Sequence, residues 1–508
     1  MFLLNRNMWL TVAIATMLAG APLLAQLATP NEEQLRQKLG ELKSTLAIVS
    51  KSQPLQNRVC DSEVYSHATE WALKYDLPLS ESDRKRLDTA LNHGFVRARA
   101  LATTHAELPW AQQKGHIVRG YVSRVDGSVQ PYGMVIPAGY RSGIPIRLDV
   151  VLHGSSRPLG TSEVRFIEGF DRDPANPDTA PNVPYIELHP LGRVENCYRW
   201  AGEADVFEAI EDACRCYSIN RDQIVLRGMS MGASGTWHLG LKHPDFFVAL
   251  GPYCGYVDTH LFSETPGMNF VKVGPLPQVQ ELGLHMLDSI DYAANAGVVP
   301  EIACIGEIDP FFQAHVIMKA AMQREGLQMV NLISPGTAHV QDPVTWAKEM
   351  ALIQPIAEKG VQHSQPHLRF VTWTLKYSRC HWVQLLRLQK HYQRAEFVGD
   401  RSPHGDIAIH KLKNISAFSL QFPDASAHTV SIEGQQFTLH PVKSATHTYN
   451  ATFALNAANR WHGHFRWGSS CRQTARSSRA DRRCLLAAIP LCNRHGHAVE
   501  CKCPHVGC

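Results

Sequence analysis

Apolar residues recur at three different spacings along the chain, and each spacing marks one region. Over residues 31–111 they recur every three to four positions, in segments such as SEVYSHATEWALKY and ESDRKRLDTALNHGFVRARAL. This spacing places the apolar side chains on one face of a helix. We therefore expect a helical N-terminal segment that packs against the main domain. A helical bundle that binds a partner is the alternative interpretation.

Residues 117–358 begin with alternating positions and continue with short apolar runs separated by helical patterns. The first stretch, HIVRGYVSRVDGSVQPYGMVIPAGY, is broken by turn-forming Gly and Pro and predicts antiparallel strands. The runs that follow are RLDVVLHG, YIELHP, IVLRGMS, FVALGPYC, EIACIG and MVNLISPG. The helical patterns are DVFEAIEDACRCY, GASGTWHLGLKHP and QAHVIMKAAMQREG. Strands that alternate with helices predict an α/β fold with a mostly parallel central sheet.

Residues 366–467 return to alternation of apolar and polar positions, in segments such as HWVQLLRLQ, DIAIHKL and TVSIEGQQFTLHP. Runs of this period at regular intervals predict a small β-rich C-terminal domain, either a sandwich or an additional sheet. A chain of 508 residues is too long for one compact core, which agrees with several domains.

The N-terminus has the pattern of an export signal. Arg6 precedes an apolar run over residues 8–24, and small residues follow that run. We expect residues 1–25 to be a cleaved signal peptide, so that the mature protein is secreted or periplasmic and has no stable membrane insertion. An uncleaved membrane anchor is the alternative, which Thr11 and Thr16 within the run disfavour.

Basic side chains are concentrated at the C-terminus. Hydrophobic residues make up 44% of the chain and charged residues 19%, as in ordinary globular proteins. Residues 471–508 carry seven basic and two acidic side chains, which accounts for the formal net charge of +4. The rest of the chain has no basic stripe, so we expect no nucleic-acid partner. We interpret residues 468–508 as an aberrant tail that arises from a frameshift. A Cys/His-rich metal module is the alternative.

Cysteines elsewhere in the chain show no paired spacing typical of zinc sites, and we expect no metal ion. Export would permit disulfides among them, but the sequence does not pair them. The cysteines that could pair in this way are Cys60, Cys197, Cys254, Cys304 and Cys380.

The strongest candidate for chemistry is Ser230, in the segment Gly228-Met229-Ser230-Met231-Gly232. The apolar run IVLR precedes this segment and a helical pattern follows it, so it lies at a strand-to-helix turn. That is the context of the nucleophile elbow in the α/β-hydrolase fold. Small flanking residues are needed because the turn holds the serine in a strained conformation. An ordinary Gly-rich turn is the alternative.

A serine nucleophile requires a base and an acid, which follow it along the chain in this fold. Asp309 follows the run EIACIG, and His339 follows the run MVNLISPG. Both positions lie at the carboxyl ends of predicted parallel strands, where catalytic groups of such sheets collect. Glu307 is the alternative acid because it lies in the same loop as Asp309. His315 is the weaker candidate for the base because it lies within a helical pattern, and we expect it to be a surface histidine.

Acyl transfer also requires N–H donors for the developing oxyanion. The backbone N–H of Met231 follows the serine directly. Gly154 follows the run RLDVVLHG and lets the backbone approach a substrate closely. We expect these two positions to form the oxyanion hole.

The segments VLHG, RGMSMGASGTWHLGLKHPDFF, GEIDP and PGTAH together resemble the α/β-hydrolase domain of the prolyl oligopeptidase family. They are also similar to secreted esterases of the feruloyl esterase and polyhydroxybutyrate depolymerase kind, over about residues 117–355. The resemblance implies Ser230, Asp309 and His339 as a catalytic triad, with Gly154 and Met231 at the oxyanion hole.

Two departures from the family peptidases favour ester hydrolysis. The helical segment before the main domain is too short to form their β-propeller. Ala233 stands where those peptidases often have a second Gly after the elbow.

We therefore expect an exported serine hydrolase that cleaves a small-molecule or polymeric ester without a cofactor. A serine peptidase of the prolyl oligopeptidase family is one alternative. A non-catalytic protein that binds carbohydrate or a surface on a hydrolase scaffold is the other. Residues 256–300 are expected to cover the pocket, with Phe262, Met268 and Phe270 as candidate lining residues, although plain core packing would also explain these side chains.

Overall fold

The computed structural model describes residues 29–52, 58–103, 108–155, 160–172, 179–262, 273–444 and 447–463. The chain forms two compact units, Met1–Trp373 and Thr374–Cys508. The predicted signal peptide, residues 1–25, and the predicted aberrant tail, residues 468–508, lie outside the described residues. None of the helices within those ranges is long and apolar enough to cross a bilayer.

Three helices open the first unit: α1 Glu32–Ser52, α2 Cys60–Tyr75 and α3 Glu81–Thr103. Asp61 of α2 is fully buried and accepts hydrogen bonds from Arg119 Nε at 3.0 Å and from the Gly120 N–H at 3.0 Å. Burial opposes ionisation of Asp61, but the neighbouring Arg119 charge holds the pKa of its carboxyl below the ordinary value. This buried ion pair attaches the helical segment to the central sheet.

The central sheet has eight strands in the order β1-β2-β4-β3-β5-β6-β7-β8. Strands β1, β2 and β4 pair antiparallel, and from β4 through β3 to β8 the pairs are parallel. This order and this mixture of directions are those of the α/β-hydrolase fold, which confirms the predicted fold class. The strands are β1 Gly115–Val122, β2 Val129–Ile136, β3 Ile146–Leu152, β4 Tyr185–Pro190, β5 Ile219–Met229, β6 Ala249–Tyr253, β7 Ile302–Gly306 and β8 Val330–Ser334.

Helices cover the sheet and link its strands. The α-helices are α4 Ser162–Phe170, α5 Ala201–Cys216, α6 Met231–Lys242, α7 Thr259–Phe262, α8 Gln278–Leu284, α9 Phe312–Arg324 and α10 Pro343–Lys359, and a 3-10 helix spans Ile290–Gly297. Helix α10 begins sharply because the Asp342 side chain accepts the Thr345 N–H at 2.8 Å and Pro343 occupies its first turn. Strand β9 His367–Thr372 ends the described elements of this unit.

The second unit consists mainly of strands, as the alternating pattern predicted. They are β10 Arg379–Cys380, β11 Val383–Leu388, β12 Ala395–Arg401, β13 Ile407–Lys413, β14 Ile415–Phe422, β15 His428–Ile432, β16 Gln435–Leu439, β17 Val442–Lys443, β18 Tyr449–Leu455 and β19 Trp461–Gly463. One sheet has the order β10-β11-β14-β18-β17, with β19 beside β18, and another runs β16-β15-β13-β12. Phe397 of β12 packs edge-on against Phe418 of β14, with ring centroids 6.0 Å apart. This aromatic contact joins the two sheets across a shared core.

Glu301 is a buried acid directly before β7, and it lies beneath helix α6. Its side chain accepts a hydrogen bond from Trp237 Nε1 at 3.2 Å. Within the described ranges, its other carboxyl oxygen has no hydrogen-bond partner. Burial raises the pKa of Glu301 to about 7 from an ordinary value of 4.5. Because the unfolded chain releases this proton at lower pH than the folded chain, the free energy of unfolding falls as pH rises between these two values.

Glu301→Gln removes this ionisation while keeping an amide oxygen that can accept from Trp237. The quantity of interest is the unfolding free energy of the variant minus that of the unmodified protein. We expect this difference to favour the variant more at pH 8 than at pH 4.5, by on the order of 1–3 kcal/mol. Urea unfolding at both pH values measures this change, with Glu33→Gln on the exposed side of α1 as the control. A Glu301→Gln difference that is the same at both pH values would contradict a buried neutral carboxyl.

Candidate active site

Ser230 lies between the last residue of β5 and the first residue of α6. Its backbone has φ 57° and ψ −119°, a strained conformation that non-glycine residues rarely adopt. The Ser230 N–H donates to the Tyr253 carbonyl of the neighbouring strand β6 at 2.9 Å. The predicted strand-to-helix turn is therefore present, with the serine at its tip.

The glycines on either side of Ser230 are required by close packing against β3. A Cβ on Gly228 would lie 2.7 Å from the Gly232 carbonyl oxygen and 2.8 Å from the Leu152 carbonyl oxygen. A Cβ on Gly232 would overlap the same Leu152 oxygen. The end of β3 therefore excludes side chains at both positions and fixes the turn.

His339 joins Ser230 to Asp309 in one hydrogen-bonded chain. Its Nε2 lies 2.8 Å from Ser230 Oγ, and its Nδ1 lies 2.8 Å from Asp309 Oδ2. Because an ionised carboxylate only accepts hydrogen bonds, Nδ1 carries the proton and Nε2 is left to accept from the serine hydroxyl. The imidazole is 29% exposed, whereas the Asp309 side chain is fully buried. The imidazole therefore remains open to a ligand while its acid is shielded from water.

The surroundings of Asp309 favour its charged form. The Phe311 N–H donates to Oδ1 at 2.7 Å. Burial alone would raise the pKa of Asp309, but the hydrogen bonds from His339 and the Phe311 N–H bring it below the ordinary value. Asp309 is thus a carboxylate at neutral pH and can stabilise a positive charge on the imidazole.

Glu307, the alternative acid, does not bond to the imidazole. Its side chain is exposed and accepts the Gly336 N–H at 2.8 Å. Gly336 belongs to the loop that carries His339, and the Ile308 N–H donates to Thr337 O of the same loop at 3.0 Å. Glu307 therefore supports the histidine loop from the outside.

The two predicted oxyanion positions flank the serine. A Cβ on Gly154 would lie 3.4 Å from Ser230 Cβ, so this glycine is adjacent to Ser230. Met231 is the first residue of α6, and its N–H therefore has no acceptor within the helix. The Tyr198 hydroxyl donates to the His153 carbonyl at 3.1 Å and holds the glycine loop in place.

Several residues that support the site were missed in the sequence. The Tyr253 hydroxyl lies 2.9 Å from Ser334 Oγ and accepts the Asp342 N–H at 2.8 Å, which ties both ends of the histidine loop to β6. Cys254 Sγ lies within 4.8 Å of a carboxylate oxygen of Asp309 and of a ring nitrogen of His339. Only their place at the end of the apolar run FVALGPYC could have signalled either residue.

The loop between β4 and α5 was also missed, although it carries the most strained backbone near the site. Its residues with positive φ are Gly192, Arg193, Val194, Cys197, Tyr198 and Trp200. The Tyr256 hydroxyl donates to Cys197 Sγ at 2.9 Å, which links this loop to the segment after β6. No single residue type in the sequence predicts so many left-handed positions.

The prediction that His315 lies on the surface is wrong. His315 is fully buried, its Nδ1 lies 2.9 Å from Asn331 Oδ1, and its ring packs 4.8 Å from that of Trp237. The face of α9 that carries it is turned toward the core. The predicted pocket-lining positions Met268 and Phe270 and the side chain of Phe262 lie outside the described residues.

Cys254, Asp309 and His339 form a group of potential metal ligands, with their ligand atoms within 4.8 Å of one another. Asp309 and His339 already hydrogen-bond to each other in this arrangement. All seven cysteines in the described ranges have free thiols, so none of the disulfides that export would permit is formed there.

No protein-family model matches the chain, and no curated protein matches it. Solved structures do resemble it. The fluorophosphonate-binding serine hydrolase F of Staphylococcus aureus is 17% identical, with 48% of this chain and 98% of that chain covered and a TM-score of 0.35. A ferulic acid esterase is 16% identical, with 48% of this chain and 97% of that chain covered and a TM-score of 0.35.

The acylaminoacyl peptidase of Pyrococcus horikoshii is 15% identical, with 51% of this chain and 44% of that chain covered and a TM-score of 0.37. These TM-scores are too low to carry an argument about function. The fold assignment rests on the strand order and strand directions of the central sheet.

Gly232→Ala tests the packing of the serine turn. Because the added Cβ overlaps the Leu152 carbonyl, we expect the unfolding free energy to fall by about 2–3 kcal/mol. Gly40→Ala is the control, since nothing lies within 4 Å of its Cβ in helix α1. That control should instead gain up to about 1 kcal/mol from helix propensity. Urea unfolding measures both changes, and equal stability of the Gly232→Ala variant and the unmodified protein would disprove the close approach.

Proposed function

We propose that this protein is a serine hydrolase that cleaves carboxylic esters through an acyl-enzyme intermediate on Ser230. The observation that carries the proposal is the hydrogen-bonded chain from Ser230 through His339 to Asp309, with 2.8 Å at each link. The strained backbone of Ser230 supports it, because strain of this kind is retained where function requires it.

In the first half of the reaction, Ser230 Oγ attacks the ester carbonyl carbon while His339 Nε2 takes the hydroxyl proton. Asp309 stabilises the imidazolium that forms. The carbonyl oxygen becomes an oxyanion, which the N–H groups of Met231 and Gly154 would bind. When the tetrahedral intermediate collapses, His339 returns the proton to the leaving alcohol oxygen and the acyl group remains on Ser230.

In the second half, water repeats the attack on the acyl-enzyme. His339 Nε2 takes a proton from the water, and the hydroxyl adds to the same carbonyl carbon. Collapse expels Ser230 Oγ, which recovers its proton from His339, and the carboxylic acid leaves. All proton transfers use one imidazole nitrogen, so the cycle requires only groups of this chain and water.

Ester hydrolysis is favoured over peptide hydrolysis by the departures in the sequence. Ala233, in place of a second glycine after the elbow, is fully buried against the segment that follows β6. The segment before the first sheet strand consists of helices in the described ranges, with no propeller blade among them. A serine peptidase related to the prolyl oligopeptidase family remains the second candidate.

We also propose that the chain is exported, on the strength of Arg6 and the apolar run that follows it. A small-molecule or polymeric ester outside the cytoplasm would then be its substrate. A role in binding carbohydrate or a surface without catalysis is the candidate from another class.

A fluorophosphonate probe separates catalytic from binding roles. We expect one probe per chain on the unmodified protein and none on Ser230→Ala, because only a serine with an adjacent base is activated. Mass spectrometry of the intact protein measures labelling, and Ser44→Ala on α1 is the control that should label normally. Folded protein that does not label would favour the binding role.

Turnover of p-nitrophenyl acyl esters without turnover of proline-containing peptides supports the esterase proposal, and the reverse result contradicts it.

Asp309→Asn and Glu307→Gln separate the two candidate acids. For Asp309→Asn we expect kcat to fall about 10³- to 10⁴-fold, because the amide no longer selects the tautomer that leaves Nε2 unprotonated. For Glu307→Gln we expect a loss of less than about threefold, because its carboxyl contacts only the outside of the histidine loop. Steady-state kinetics on a p-nitrophenyl ester measures both, and a larger loss in the Glu307 variant would overturn the assignment of the acid.

A further inference from the structure

Cys254 lies directly after β6, at a point where the backbone is held in an unusual conformation. Its φ is 61°, in the left-handed region that favours glycine, and its N–H donates to the Cys304 carbonyl at 2.9 Å. The residue is 1% exposed. A buried non-glycine residue in this conformation is held there by its surroundings, which makes its side chain a candidate for a specific role.

The side chain of Cys254 reaches the acid of the site. Its Sγ, a carboxylate oxygen of Asp309 and a ring nitrogen of His339 lie within 4.8 Å of one another. It packs in one core cluster with Tyr253, Phe311 and Ile305. The thiol therefore lies on the buried side of the carboxylate.

We propose that Cys254 is a positioning residue whose thiol donates a hydrogen bond to Asp309. This bond holds the carboxylate in the orientation in which it accepts from His339. The inference rests on the proposed function of Ser230, His339 and Asp309. Cys254 does not touch the reacting atoms and acts only through the acid.

The direction of this hydrogen bond follows from the protonation states. Burial, together with the neighbouring Asp309 charge, raises the pKa of the Cys254 thiol, so the thiol keeps its proton. The ionised carboxylate can only accept. With the proposed thiol bond, Asp309 has three donors: His339 Nδ1, the Phe311 N–H and Cys254 Sγ.

Three donors limit rotation of the carboxyl group and spread its charge. Without the thiol, the charge of Asp309 would be less stabilised and would attract the imidazolium more strongly. The acid limb of the kcat/KM profile would then move to higher pH. A cysteine that merely fills space would not produce this movement.

Substitutions at Cys254 leave the other titratable groups near Asp309 in place. Glu349 of α10 acts on Cys254 electrostatically, and burial raises the pKa of Glu349 to about 8. His315 of α9 lies near Asp309, and burial lowers its pKa to about 4, so it is neutral at pH 7. Cys304 of β7 is buried, and burial raises the pKa of its thiol, so it is also neutral.

The test compares Cys254→Ala, Cys254→Gly and Cys254→Ser by the pH dependence of kcat/KM on a p-nitrophenyl ester. We expect Ala and Gly to lower kcat about three- to tenfold with KM unchanged, and to move the acid limb up by roughly half a pH unit. Ser should restore both, because its hydroxyl can donate. Gly accepts the left-handed backbone without strain, so an effect shared by Ala and Gly does not come from backbone strain, and rescue by Ser assigns it to the lost donor rather than to the lost volume.

Cys304→Ala is the matched control, because it removes the neighbouring buried thiol, which acts on Glu349 and not on the acid. It should lower stability without moving the acid limb. If Cys254→Ala and Cys254→Gly keep the original limb and kcat while Ser230 still labels with the fluorophosphonate, this inference fails and the proposed function stands. If the unmodified protein neither labels nor turns over esters, the proposed function itself fails.

Discussion

The strained turn at Ser230 is the constraint on which the rest of the site depends. The turn holds because the Leu152 carbonyl at the end of β3 leaves no room for side chains at Gly228 and Gly232. The Ser230 N–H is anchored to Tyr253 on the next strand. Packing of three adjacent strands therefore stabilises a conformation that a serine would not adopt on its own. The hydroxyl is raised above the sheet edge, where loops from other strands can reach it.

The parallel arrangement of the sheet explains why residues so far apart in the chain meet at this serine. The loops after β3, β5, β7 and β8 all leave from one edge and supply Gly154, Ser230, Asp309 and His339. Tyr253, at the end of β6, bonds to both ends of the histidine loop and so fixes its distance from the turn. The geometry thus depends on contacts between neighbouring loops as much as on the side chains of Ser230, His339 and Asp309.

The fold and the positions of the site residues could be predicted from sequence because both follow from periodic patterns. Apolar runs located the strands, and the ends of those runs located Asp309 and His339. The pattern could not choose between Asp309 and Glu307, since that choice depends on how the chain turns after Gly306. It also could not show that His315 is buried, because the face of α9 that carries it depends on packing. Left-handed positions such as Cys254 and Val194 arise from tertiary contacts that have no local signature.

Burial alone does not determine which carboxyl can serve as the acid of the site. The hydrogen-bond donors around the carboxyl determine this. Glu301 and Glu349 are also buried, and burial raises the pKa of these carboxyls to about 7 and about 8. Each has one carboxyl oxygen without a hydrogen-bond partner among the described residues. Asp309 is buried as well, but it has donors on both oxygens, and its pKa lies below the ordinary value. A buried carboxyl with few donors keeps its proton to higher pH and so carries less charge at neutral pH, whereas an exposed one such as Glu307 is screened by water. Only a buried carboxylate with several donors combines a permanent charge with a medium in which that charge acts strongly on His339.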